Sequence, residues 1–181
     1  MRRISVSFGF CALACFIGWL NWRICLCFLT AAAVHELGHL AVIKLHHKPI
    51  RQIRIEALGA VIIIGCMDHK TEWRCALAGP AAGVLFGLLL LRIWSECAII
   101  SLLLSVVNLL PLYPLDGGRI LRSWAMSRFG VIRGERVIRR VSMTVSCLLM
   151  LAACSCAVLL QMGLWPIFLS LALLWRADGR E

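Results

Sequence analysis

Long apolar runs restrict the fold of this chain more than any other feature of its sequence. Six of them follow one another, at residues 4–20, 24–45, 75–94, 97–110, 141–160 and 167–175. A helix needs about 20 mostly apolar residues to cross a bilayer, and most of these runs approach or reach that length. Since backbone groups inside a bilayer must be hydrogen-bonded within the protein, the runs predict helices. We therefore expect an all-α multi-pass membrane protein with about six transmembrane helices, of which the last is short.

The composition agrees with a membrane protein and restricts the partners. Hydrophobic residues make up 61% of the 181 residues, and the mean hydropathy is +0.89, whereas a soluble domain is roughly 45–50% apolar. The formal net charge of +10 would also suit a nucleic-acid-binding protein. The basic residues lie mostly between the apolar runs, however, where they set membrane orientation. We therefore expect the lipid bilayer as a partner and no nucleic acid.

The cysteines are a second feature of the composition. The chain has ten, and most of them fall inside apolar runs. A free cysteine packs as a small hydrophobic residue, and the one-residue spacing of the Cys25/Cys27 pair suits zinc poorly. We interpret the cysteines as structural thiols rather than as a disulfide framework.

The segment between the second and third runs has a different pattern. Residues 53–56 alternate between isoleucine and a charged residue, and residues 60–64 form an apolar, β-branched stretch. Alternation and β-branching predict a small β-hairpin between helices 2 and 3. The spans leave no room for a large soluble core, so we expect residues 1–181 to form a single membrane-embedded domain.

Arginine and lysine positions predict the orientation in the membrane. The segments after the second and fourth runs hold most of these residues, namely Lys48, Arg51, Arg54, Lys70, Arg74, Arg119, Arg122, Arg128, Arg133, Arg136, Arg139 and Arg140. Short cytoplasmic loops carry an excess of basic residues. Six spans would then place both termini in the cytoplasm. The segment 119–140 has a second interpretation, in which it docks an acidic substrate or an anionic lipid.

The second run contains the sequence His-Glu-Leu-Gly-His at residues 35–39. Residues four apart share a helix face, so the imidazoles of His35 and His39 can bind one metal ion. Glu36 can act as general base for a water molecule at that ion. An ionisable group at mid-span costs about 2.5–3.5 kcal/mol on insertion scales, so three of them within five positions indicate a metal site rather than chance.

A catalytic zinc site has three protein ligands and one open position, and Asp116 is a candidate for the third ligand. Two prolines, Pro111 and Pro114, precede it and interrupt the helix. Such broken backbone at membrane depth is tolerated only where protein or a water-filled cavity covers it. An ordinary turn at the end of a helix stays open as the alternative. The predicted topology places His35, His39 and Asp116 toward the cytoplasmic side.

At three stretches the chain resembles the site-2 protease family of intramembrane zinc metalloproteases, peptidase family M50. These stretches are residues 35–39, residues 78–83 with the sequence Ala-Gly-Pro-Ala-Ala-Gly, and residues 108–118 with the sequence Asn-Leu-Leu-Pro-Leu-Tyr-Pro-Leu-Asp-Gly-Gly. Within the family the chain looks most like the sporulation stage IV protease, which processes a sigma-factor precursor.

The resemblance implies a role for each residue of the site. His35, His39 and Asp116 would be the ligands of one Zn²⁺ per chain, and Glu36 would be the catalytic base. Asn108 would be a polar group that binds substrate. The stretch 50–64 would match a β element that helps to hold an extended substrate.

The resemblance also implies an activity. The chain would be an endopeptidase of the bacterial cell membrane that cleaves a membrane-associated protein near the cytoplasmic face, such as a sigma-factor precursor or an anti-sigma factor. Regulatory membrane subunits are candidate partners. Relatives often carry a cystathionine-β-synthase-type or PDZ domain, and we expect neither here. A membrane metal transporter and a non-catalytic membrane scaffold stay open as alternatives, although the presence of Glu36 argues against an idle scaffold.

Overall fold

The computed structural model describes residues 3–8, 11, 15, 18–47, 50–56, 59–65 and 67–159. In chain order its elements are β1 (Arg3–Val6), α1 (Trp22–Leu45), β2 (Ile50–Glu56), β3 (Gly59–Ile64), α2 (His69–Leu90), α3 (Ser95–Asn108), α4 (Asp116–Phe129) and α5 (Val131–Leu159). The chain divides into two compact units, Met1–Asn108 and Leu109–Glu181. The prediction of a single domain stays a prediction.

Three of the helices are long and apolar enough to cross a membrane among the residues that the structure describes. They are Trp22–Leu45, His69–Leu90 and the part of α5 from Val131 to Ser155. Helix α3 is apolar but has 14 residues, which extend about 21 Å, less than the roughly 30 Å of a hydrocarbon core. The predicted sixth run at 167–175 lies outside the described residues, so the count of six spans stays a prediction.

The three strands form one sheet in the first unit, in the order β1-β2-β3. Strand β2 pairs antiparallel with β3, with Ile53 opposite Ile62, in the segment where alternation predicted a hairpin. Residues 57–58 between these strands lie outside the described residues, so the hairpin connection stays a prediction. Strand β1 pairs parallel with β2, with Ile4 opposite Ile53.

Strand β1 corrects the expectation that residues 4–20 are helical throughout and that the chain is all-α. Arg3–Val6 are extended and paired. Two of these four residues, Ile4 and Val6, are β-branched and favour a strand, and β2 supplies the backbone partner. Hydropathy alone could not identify this partner because it lies some fifty positions further along the chain.

Polar side chains cap the first two helices. The Asn21 side chain accepts hydrogen bonds from the backbone N–H groups of Arg23 and Ile24, at 3.0 and 3.3 Å. The Asp68 carboxylate accepts one from the N–H of Thr71 at 3.2 Å. These bonds satisfy N–H groups that have no partner inside the helix, so both helices begin at defined residues.

Small residues set the packing of α1, α2 and α3. A side chain on Gly38 of α1 would collide with the backbone carbonyl of Ala78 on α2, and one on Gly83 of α2 would collide with Oγ of Ser105 on α3. The Ser101 hydroxyl donates a hydrogen bond of 2.8 Å to the Gly83 carbonyl. In a bilayer such close approach and interhelical hydrogen bonds replace the hydrophobic effect as the source of association.

The second unit contains α4 and α5, which also meet at a glycine. A Cβ on Gly134 would lie 2.7 Å from the backbone nitrogen of Met126. The backbone N–H of Tyr113 donates to the Ser142 hydroxyl at 3.0 Å, which fixes the segment before α4 against α5. Helix α5 begins at Val131 rather than at the apolar boundary near residue 141, because its first turns are polar but helical.

We expect Gly83→Val to lower the free energy of unfolding by about 1–3 kcal/mol, because the larger side chain overpacks the contact between α2 and α3. Ala81→Val is the matched control, since Ala81 lies on the exposed side of the same helix. Thermal unfolding of both variants in detergent micelles measures the difference. Equal unfolding midpoints for the two variants would contradict the packing described here.

Candidate metal centre

The two histidines of the 35–39 motif lie side by side in the interior of the first unit. Both are on α1, and each is 5% exposed. Their Nε2 atoms are 3.2 Å apart, and the rings meet edge to face with centroids separated by 4.9 Å. The helical spacing of four residues therefore brings both imidazoles to one place, as the sequence predicted.

The backbone of α2 fixes the tautomer of His39. Its Nδ1 lies 2.7 Å from the carbonyl oxygen of Cys75. A carbonyl oxygen can only accept a hydrogen bond, so Nδ1 carries the proton and donates it. A neutral imidazole protonated at Nδ1 leaves a lone pair on Nε2, which is the form that binds a metal ion. The carbonyl also holds the ring in its orientation.

Gly79 faces the two imidazoles from α2. A Cβ at this position would collide with Nε2 and Cε1 of His39 and would lie 2.9 Å from Nε2 of His35. The structure adds a role for Gly79, which leaves space for the metal-ligating atoms. No local pattern in the sequence indicates this role, because the contact joins two helices.

In the second unit, Asp116 is the first residue of α4 and is 5% exposed. A helix N-terminus stabilises a carboxylate through the aligned peptide dipoles. Arg119, one turn along the helix, places Nη1 3.4 Å from the Asp116 carboxylate. Gly117 and Gly118 lie against the backbone of Leu109–Tyr113, where any Cβ would collide, so this approach requires glycine at both positions.

His35 and His39 in the first unit and Asp116 in the second each offer one possible ligand atom for a metal ion. Two imidazole nitrogens and one carboxylate oxygen are the donor set of many catalytic zinc sites, which keep a fourth position open. All three residues are buried, so the donor set and its shielding from solvent both fit zinc.

The remaining candidate residues lie on α1 and α3. Glu36 follows His35 on α1 and is half-buried, with its Oε2 shielded from solvent. Asn108 is the last residue of α3, and its side-chain amide donates a hydrogen bond of 2.9 Å to the Leu104 carbonyl. The roles of Glu36 as base and Asn108 as substrate-binding group stay predictions.

Comparison with known proteins finds a match between part of this chain and one family model. Residues 90–153 match the family model described as peptidase family M50. This confirms the resemblance to the site-2 proteases that residues 35–39, 78–83 and 108–118 indicated.

Individual relatives support the family. The chain is 26% identical to a zinc metalloprotease of Methanocaldococcus jannaschii over 171 residues, which cover 87% of this chain and 49% of the relative. It is 27% identical to stage IV sporulation protein FB of Bacillus subtilis over 163 residues, covering 81% of this chain and 55% of that protein. The chain thus spans about half the length of these relatives.

The fold has a solved counterpart. The site-2 protease from Methanocaldococcus jannaschii superposes with a TM-score of 0.75, covering 98% of this chain and 91% of that chain at 22% sequence identity. The shared fold and the three apolar helices identify the chain as an integral membrane protein.

We expect Gly79→Ala to weaken zinc binding by about 10- to 100-fold, the loss typical of residues that orient metal ligands. The added methyl would displace both imidazoles. Gly87→Ala is the matched control, because a Cβ there meets Leu102 and not a histidine. Competition with a chelator measures the zinc affinity of each purified variant. Equal affinities would show that Gly79 serves helix packing alone.

Proposed function

We propose that this chain is an intramembrane zinc metalloendopeptidase that cleaves membrane-associated proteins. The observation that carries the proposal is the buried pair of imidazoles of His35 and His39, whose Nε2 atoms are 3.2 Å apart, with the buried Asp116 as the proposed third ligand. Two of these residues lie on α1, a helix long and apolar enough to span a membrane. The match of residues 90–153 to the model of peptidase family M50 supports the same conclusion.

In the proposed reaction, His35, His39 and Asp116 would hold a zinc ion, which would supply Lewis-acid activation of water and of the scissile carbonyl. Glu36 accepts the proton of the attacking water and returns it to the leaving amine. The Cys75 carbonyl keeps Nδ1 of His39 protonated. The Asn108 amide, at the end of α3, binds the substrate near the developing oxyanion.

The substrate must be extended at the cleavage site, because hydrogen bonds within a helix shield its peptide groups. The sheet order β1-β2-β3 supports a route for this. Strand β2 is paired on both sides, whereas β3 has one strand neighbour among the residues that the structure describes, so β3 is the candidate for β-augmentation. We propose that an unwound substrate segment pairs with β3 before cleavage.

The finer features follow the family resemblance and the charge distribution. We propose six transmembrane helices, both termini in the cytoplasm and cleavage near the cytoplasmic face of a bacterial cell membrane. We propose a sigma-factor precursor or an anti-sigma factor as the substrate, as the family resemblance implies, and the similarity to stage IV sporulation protein FB supports a role in sporulation. Regulatory membrane subunits belong to the same proposal.

We expect Glu36→Gln to reduce cleavage by about 10²- to 10⁴-fold, the usual contribution of a general acid–base group, while zinc stays bound. The chain is co-expressed with tagged candidate substrates, a sigma-factor precursor and a membrane-bound anti-sigma factor. Cleavage is read from the fragments, and zinc content is measured on the purified protein. Glu96→Gln is the matched control, because Glu96 is exposed at the start of α3.

Identical cleavage by the native protein and the Glu36→Gln variant would refute the proposed activity. Zinc flux across vesicles that persists in the variant would instead indicate a metal transporter.

We expect Asn108→Ala to lower kcat/KM by about 10²-fold, as removal of one oxyanion-binding donor does in other hydrolases, with zinc content unchanged. If Asn108 had only a structural role through its hydrogen bond to Leu104, the variant would be less stable. Its kcat/KM per folded molecule would then be unchanged. Kinetics on purified protein, together with its unfolding midpoint, separate these two results.

A further inference from the structure

Helix α5 extends beyond the apolar thickness of a bilayer. Its 29 residues span about 44 Å, compared with roughly 30 Å for the hydrocarbon core. The mostly apolar part of its sequence begins at Val141, whereas residues 131–140 contain four arginines and one glutamate. The first turns of α5 therefore lie at the level of the lipid headgroups.

Three arginines share one face of these turns. Arg133, Arg136 and Arg140 follow the i, i+3, i+7 spacing of a helix face, and all three are exposed. None of them has an acidic partner among the residues that the structure describes. The carboxylate of the neighbouring Glu135 pairs with Arg122 instead, with Oε1 of Glu135 3.5 Å from Nη2 of Arg122. Their positive charge is therefore available to a ligand.

Exposed apolar side chains lie at the end of α4 and the start of α5, close to these arginines in the sequence. Trp124 and Phe129 at the end of α4 contact each other edge to face, with ring centroids 5.8 Å apart. Their exposed fractions are 54% and 46%, and Ile132, at the start of α5, is 74% exposed. Tryptophan and other amphipathic rings favour the boundary between headgroups and acyl chains. We call Arg133, Arg136, Arg140, Trp124 and Phe129 the arginine corner.

We propose that the arginine corner binds the headgroups of anionic phospholipids. Cations beside exposed aromatic and aliphatic side chains match a surface that is anionic at the headgroups and apolar beneath them. An acidic protein would match the charge but would leave the apolar side chains without a corresponding surface. Membrane orientation requires a count of basic residues, but it does not require three of them on one helix face.

The test uses the full chain purified in neutral detergent, titrated with phosphatidylglycerol or phosphatidylcholine, with bound lipid counted by native mass spectrometry. The variant replaces all three arginines (R133Q/R136Q/R140Q). A basic residue near an anionic surface strengthens binding about fivefold, so the loss of three weakens phosphatidylglycerol binding on the order of hundredfold. Phosphatidylcholine binding stays the same.

Two further variants separate position from charge. R23Q/R74Q/R92Q removes the same charge from three other exposed arginines, and it should retain phosphatidylglycerol. R133K/R136K/R140K keeps the charge and should retain most of the binding. If the glutamine variant does not purify, added salt must release phosphatidylglycerol from the native protein, because the attraction between exposed charges is screened.

Three results would overturn the proposal. The first is equal affinity of the native protein for the two lipids, or phosphatidylglycerol binding that salt does not weaken. The second is an equal loss of phosphatidylglycerol in the R23Q/R74Q/R92Q control. The third is binding of a soluble polyglutamate peptide by the native protein without binding of phosphatidylglycerol, which would assign the arginine corner to an acidic protein partner. None of these measurements depends on protease activity.

Discussion

The close approach of α1 and α2 is the constraint on which the rest of the first unit depends. Gly38 lies against the Ala78 carbonyl, and the Cys75 carbonyl reaches the imidazole of His39. A side chain at Gly38 would separate the helices and lengthen the hydrogen bond that orients the metal ligand. Helix packing and ligand orientation therefore arise from the same contact, and damage to one damages the other.

Hydroxyl groups in the first unit also form hydrogen bonds to the backbone. The Ser105 hydroxyl donates to the Ser101 carbonyl at 2.8 Å, and the Thr30 hydroxyl lies 2.9 Å from the carbonyls of both Leu26 and Cys27. Each hydroxyl thus finds a backbone partner without water, as burial in a bilayer requires. Cys27, Cys75 and Cys97 are buried thiols, in agreement with their interpretation as small packing residues.

The sequence predicted the features that depend on local periodicity. The spacing of His35 and His39 determines a shared helix face whatever surrounds it, and the prolines before Asp116 marked a break in the helix. Features that depend on residues far apart in the sequence were not predicted. One of them is the pairing of Arg3–Val6 with β2. The start of α5 was also misplaced, because hydropathy marks the membrane boundary and not the end of a helix.

Gly79 bears on the choice between an enzyme and an idle scaffold. Glycine inside a helix is less favourable than alanine by about 1 kcal/mol, so its presence there needs a compensating gain. At Gly38 the atoms that a Cβ would meet include backbone atoms of α2, and the gain is helix packing. At Gly79 the three nearest atoms all belong to the imidazoles of His35 and His39. A scaffold without a metal site could relieve that conflict by replacing the histidines and accept alanine at residue 79. The glycine at residue 79 leaves space for the two imidazoles. Its unfavourable helix propensity is therefore explained by the metal ligands rather than by helix packing.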